Sequence, residues 1–139
     1  MEARSGFFAF WQPRALSVLR VVVALLFMEH GSMKLLGYPP SAMFSGLHLF
    51  SLLGLAGVIE LFGGGLILLG LLTRPVAFIL SGEMAAAYFM VHAPAGFFPA
   101  LNHGEAAVFY CFVFLYFFFA GGGEWSADEI LMASRRPDR

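Results

Sequence analysis

The stretch Ala15 to Leu36, ALSVLRVVVALLFMEHGSMKLL, is long and apolar enough to cross a bilayer, yet it carries Arg20, Glu29, His30 and Lys34. A spanning helix needs about 20 residues, and an ionisable group at its centre costs at least ~2.5 kcal/mol unless it meets a partner or water. The rest of the chain therefore has to answer these charges. Composition points the same way: of 139 residues, 60% are hydrophobic, 17% aromatic and only 12% charged, against roughly 25% charge in a soluble domain. The mean hydropathy is +0.81. Once the apolar spans are subtracted, no stretch remains for a separate soluble domain, so residues 1–139 read as one membrane unit.

Three further spans follow: about 51–72, 75–92 and 104–120. The second holds one ionisable residue, Glu60, with Gly57 and Gly64 on the same helical face, a spacing that lets another backbone approach. The third holds Glu83 and begins after Thr73-Arg74, with Pro75 expected as its first residue. The fourth carries a stripe of Glu105, Phe109, Phe112 and Tyr116, read as lipid-facing or packing surface, with Glu105 at the positive end of the helix dipole. The loops between spans one and two and between three and four are rich in Pro, Gly and aromatic residues.

The predicted fold is all-α: an integral membrane four-helix bundle with an N-terminal interfacial segment and a short C-terminal amphipathic helix. Phe7, Phe8, Phe10 and Trp11 beside Arg4 and Arg14 suit a segment lying at headgroup level, and that stretch is too polar for the core of a cleaved signal. Gly121-Gly122-Gly123 reads as a hinge. Ser126 and Glu129 then form a capping box, with Trp125 and Ile130 at the staple positions, ahead of a tail expected on the membrane surface.

Arginine and lysine set the expected orientation. Arg4 and Arg14 precede span one, Arg74 separates spans two and three, and Arg135, Arg136 and Arg139 follow span four, while the other two loops hold none. Both termini are then expected to be cytoplasmic, in a bacterial-type inner membrane. With this topology Glu29, His30, Lys34, Glu60 and His92 gather toward the outer side, and Arg20 and Glu83 remain as a candidate inner ion pair.

The residues also carry a resemblance. LRVVVALLFMEHGSMKLLG, LAGVIELFGGGLILLGLLTRPVA and EMAAAYFMVHAPAGFFPALNHGEAAVFYCFVFLYFFFAGGGEWSADEIL are similar to the DoxX family of small four-helix membrane proteins. The likeness rests mainly on the His-Gly-x-x-Lys pattern at His30, Gly31 and Lys34 and the Ile-Glu-Leu-x-Gly-Gly run at Glu60. His103 and Gly122-Gly123 depart from the commoner family forms. The resemblance implies a membrane-associated redox setting, as an accessory subunit of a quinone-linked oxidoreductase or a partner in an oxidative-stress complex.

Two functional readings stay open at this point. In one, Glu29, His30, Lys34, Glu60 and His92 form a quinone-head or proton site, while a redox partner supplies the electrons. In the other, the chain is a non-catalytic assembly subunit whose charges only pin its helices, Glu60 to Lys34 among them. A small transporter is disfavoured, because the inner half lacks a polar route. Haem ligation by His30 and His92, or a metal held by Glu29, His30, Glu60 and His92, lacks diagnostic spacing, so no metal and no intrinsic cofactor are expected. Cys111, the one cysteine, excludes an internal disulfide and reads as a small buried hydrophobe. No basic stripe exists for nucleic acid. The expected partners are the lipid bilayer and a larger membrane complex.

Overall fold

The computed structural model describes residues 2–135, with side chains from Gly6 onward. Arg136 and Arg139, and the side chain of Arg4, which enter the charge count above, lie outside what is described. Every regular element among these residues is helical. Helix α1 is Glu2–Leu35. Helix α2 is Leu52–Leu69 and α3 is Thr73–Ala95. A short α4, Pro99–Asn102, leads into α5, Glu105–Ala120, and the chain ends in α6, Ala127–Ser134.

Helices α1, α2 and α3 are long and apolar enough to cross a membrane. Helix α5, at 16 residues, falls just under the ~17–25 residue range of a spanning helix, although it packs along α3 and closes the bundle. One expectation is corrected: there is no separate N-terminal interfacial segment. Helix α1 runs from Glu2 to Leu35 with Pro13 inside it. At ~1.5 Å per residue, its 34 residues exceed a ~30 Å hydrocarbon layer by several turns, so Phe7, Phe8, Phe10 and Trp11 stand exposed on a projecting continuation of the first span. No turn-forming pair precedes Pro13, and good helix formers such as Ala9 and Gln12 let the helix continue through it.

Glycine sets how close α1 and α2 come. A Cβ on Gly31 would lie 2.5 Å from the Leu61 nitrogen, and one on Gly64 would lie 2.6 Å from Met28 Cγ. The two backbones are in contact because these positions carry no side chain. The core beneath is Ala24 and Phe27 from α1, Ile67 from α2, Ala77 and Leu80 from α3, and Phe114 and Phe117 from α5. Phe27 meets Phe114 edge-on at 4.8 Å, which joins α1 to α5. On α5 the stripe Phe109, Phe112 and Tyr116 is exposed and faces away from this core.

The ends of the bundle differ in chemistry. One end gathers Arg14, Arg20, Arg74 and Arg135; the other gathers His30, His92 and His103. At the arginine end, Arg20 is 1% exposed and donates from Nε to the Gly122 carbonyl at 2.7 Å. Its Nη1 donates to Ile67 O at 2.6 Å and also to Leu68 O, and its Nη2 to Trp125 O at 2.9 Å. Ile67 and Leu68 lie in the last turn of α2: the Leu68 carbonyl has no helical partner and the Ile67 carbonyl accepts only the capping Gly70 N–H at 3.0 Å, so a cation there completes the hydrogen bonding and answers the helix dipole. Arg74 does the same for α5, reaching Phe118 O at 2.9 Å and Phe119 O at 2.6 Å.

The three glycines after α5 form a packed crossing rather than a hinge. A Cβ on Gly122 would meet Ser126 Cβ at 2.6 Å, and one on Gly123 would meet Ser17 Oγ at 2.4 Å, with Gly123 at φ +81°. The tail is thereby fastened: Asp128 accepts from the backbone nitrogens of Leu72 and Thr73, both at 2.8 Å, and caps the start of α3. Pro75 is the third residue of α3, still among the four whose N–H has no helical acceptor. Ser126 caps α6 by accepting from the Glu129 nitrogen at 3.3 Å, and Arg14 pairs with Glu124 at 2.9 Å.

Candidate functional site

At the histidine end the helices leave a cavity of about 650 Å³. The α1 wall supplies Phe27, His30 and Lys34, the α2 wall Ile59 and Glu60, the α3 wall Glu83, Met84 and His92, and α5 supplies Tyr110. Two of these walls are built on π-helical turns, Ile59–Gly63 around Glu60 and Tyr88–His92 around His92. A π turn inserts one extra residue, widens the helix locally and re-aims the side chains on it; such turns occur often at functional sites.

Glu60 is 3% exposed, and its Oε1 lies 2.5 Å from Lys34 Nζ. The pairing follows from the glycine contact, since Gly57, one turn before Glu60, packs on Lys34 itself: a Cβ there would lie 2.9 Å from Lys34 Cβ. The second carboxylate oxygen of Glu60 has no partner. His30 stands beside Tyr110, ring edge to ring face at 6.0 Å.

The structure does not bring Arg20 and Glu83 together. Arg20 is occupied by four carbonyls at the arginine end, while both carboxylate oxygens of Glu83 are buried without a hydrogen-bond partner. Depth alone favours a pair; the carbonyls at the end of α2 and in the glycine crossing outcompete a carboxylate that sits one helix away. Glu83 instead lines the same cavity as Glu60 and Lys34. Glu29 is exposed and outside the cavity lining, so of the five candidates the fold collects His30, Lys34, Glu60 and His92. Among the described residues no three His, Cys, Asp or Glu side chains converge as ligands for a metal ion.

The floor of the histidine end rests on Asn102, which is not among the residues the sequence singles out. It is 6% exposed, donates to Gly96 O at 2.6 Å, and accepts from the Gly104 nitrogen at 2.8 Å. Its backbone carbonyl accepts from His92 Nδ1 at 3.1 Å, and in that tautomer Nε2 is left as an acceptor. Tyr88 donates to Phe97 O beside it. An Asn before a residue in left-handed geometry, here His103 at φ 58°, is the one local signal for this knot.

Long apolar helices, a buried ion pair between the first two, and an apolar cavity with a few polar groups at one end define an integral membrane protein of the small helical-bundle class. The chain belongs to the DoxX family: the model of that family matches residues 15–93, which run from α1 into α3. An uncharacterized protein of Haemophilus influenzae (strain ATCC 51907 / DSM 11121 / KW20 / Rd) is 46% identical over 123 residues, covering 86% of this chain and 92% of that protein. No solved structure matches the present chain.

Proposed function

We propose that this DoxX protein is a quinone-binding accessory subunit of a membrane oxidoreductase, with the histidine-end cavity receiving the quinone head group. The observation that carries the proposal is the shape of that cavity. Helices α2 and α3 pack together where Gly63 meets Leu80, and toward the histidine end they part. The rims of the gap are Leu52, Leu53 and Leu55 on α2 and Met90 and Val91 on α3, all lining the cavity and all exposed. A gap with apolar rims between two spanning helices admits a ligand dissolved in the bilayer. Its volume lies within the ~300–1,000 Å³ of small-molecule sites, and mostly apolar walls with a few polar groups are the usual composition.

A quinone carries electrons and protons between enzymes; the residues here would hold and protonate it rather than reduce it. Lys34 and His30 offer hydrogen bonds to its carbonyl oxygens, and Glu60 and the Nε2 of His92 offer acceptors to its hydroxyl form. The electrons come from a partner in the complex. By the arginine count the arginine end faces the cytoplasm, which puts the cavity in the outer leaflet. A reporter fused after Arg139 is expected to be active only on the cytoplasmic side.

The test is equilibrium binding of a short-chain benzoquinone to the purified protein in nanodiscs. Saturable binding weakened by Glu60→Gln supports the reading. Absence of saturable binding, with the protein folded, removes it and leaves the assembly subunit.

A further inference from the structure

Glu83 is the group in the cavity that the Lys34–Glu60 pair does not explain. It sits in the interior of α3, ten residues after Thr73, and both of its oxygens are buried without a partner. A carboxylate there would be a bare negative charge inside the hydrocarbon, a far more costly state than a neutral acid. The charged and titratable groups that line the cavity with it are Lys34 and His30 from α1, Glu60 from α2, His92 from its own helix, and His103 and Tyr110 from the α5 side. Among the described residues, the one lysine or arginine lining the cavity, Lys34, is already bound to Glu60 at 2.5 Å. Adding a second carboxylate to that pair would give an excess negative charge with no counter-ion.

We propose that Glu83 is a neutral carboxylic acid presented to the lipid-accessible cavity, and that it donates the hydrogen bond that orients a carbonyl-bearing ligand there. The ligand class rests on the quinone reading above; the protonation and accessibility of Glu83 do not. Glu60 and Glu83 thus divide the work of the two carboxyl groups, one ionised and paired, one protonated and available.

A hydrophobic carbodiimide, dicyclohexylcarbodiimide, distinguishes them. The acid proton moves to a carbodiimide nitrogen while the carboxylate oxygen bonds to the central carbon; the acyl group then migrates from oxygen to nitrogen, leaving a stable N-acylurea with no atom lost. Only a protonated carboxyl reachable from lipid completes this step. With the full-length protein in nanodiscs, peptide mass spectrometry is expected to find the adduct on Glu83 and not on Glu60, and Glu83→Gln is expected to abolish it. Lys34→Met, which strips Glu60 of its counter-ion, is expected to bring a second adduct onto Glu60. No adduct on Glu83, or an adduct on Glu60 first, overturns the proposal, and Glu83→Gln, a near-isostere, keeps the comparison within folded protein. A short-chain benzoquinone at ten times its Kd leaves about one site in eleven open and is expected to slow labelling of Glu83 about tenfold. Labelling of Glu83 that a bound quinone does not slow overturns the donor role while the quinone reading stands. Labelling of Glu83 in a protein that binds no quinone removes the quinone reading and supports the neutral acid.

Discussion

Lys34 and Glu60 face each other at 2.5 Å across the contact between α1 and α2, with their side chains 11% and 4% exposed. The pair lies where the glycines let the two helices touch, and it forms one wall of the cavity. Removing one partner strands the other charge, so Lys34→Met or Glu60→Leu alone is expected to cost about 3–5 kcal/mol, and the double substitution clearly less than their sum. Thermal or denaturant unfolding of the four proteins in one detergent measures it. Additive losses would show that the two charges are not coupled.

Glycine contact, rather than charge, sets the spacing of that wall. Gly31→Ala puts a methyl group 2.5 Å from the backbone nitrogen of Leu61 and is expected to destabilise by about 1–3 kcal/mol through forced separation. Gly82→Ala in α3 meets nothing within 4 Å and is expected to be neutral or to stabilise by up to ~1 kcal/mol from helix propensity. The unfolding midpoint is expected to fall for Gly31→Ala and to hold or rise for Gly82→Ala; equal losses would contradict the close approach.

Arg20 and Glu83 are expected to behave independently. Arg20→Met leaves the carbonyls of Leu68, Gly122 and Trp125 without their donor and the Ile67 carbonyl with the Gly70 N–H alone, and is expected to cost on the order of 3 kcal/mol or more. Arg20→Lys recovers only part, because a single ammonium cannot reproduce the planar fork. Combined with Glu83→Gln, the losses should add to within ~0.5 kcal/mol in a double-mutant cycle.

These comparisons show what could be read from the chain and what could not. The apolar runs announce the spanning helices, and the lone Glu60 with Gly57 and Gly64 on its face points to a close neighbour. A buried arginine satisfied by carbonyls leaves no such trace, since every residue has a carbonyl and only the fold says which ones are free. That is why Arg20 invited an acidic partner and found helix ends. The π turns at Glu60 and His92 are equally silent, because one extra residue in a helical turn has no composition of its own. Asp128 lies in a segment expected on the membrane surface, and its role as the cap of α3 depends on the glycine crossing that carries the tail back over the bundle.

Asp128 also makes the clasp at the arginine end sensitive to acid. Burial pushes its carboxyl up, but the Thr73 and Leu72 backbone N–H groups and the Arg20 charge outweigh this and hold it below the usual carboxylate range. A group with a lowered folded pKa contributes stability above its unfolded value, about 3.9, and loses it as pH falls through the folded value. Trp125 fluorescence, read in a Trp11→Phe background, is therefore expected to stay constant from neutral pH down to about 4 and to change below it. Asp128→Ala should show the released signal at neutral pH and a loss of about 1 kcal/mol, as for other helix caps.

Photo-crosslinking with an azido-benzoquinone, mapped by peptide mass spectrometry on the protein in nanodiscs, tests the central claim most directly. The account predicts adducts confined to the walls of the histidine-end cavity, at Leu55 and Ile59 on α2 and Met90 and Val91 on α3, suppressed by excess unlabelled quinone and weakened in Glu60→Gln. Adducts spread over the outward face of α5, or gathered at the arginine end around Thr73 and Gly122, and unchanged by competitor, would contradict it.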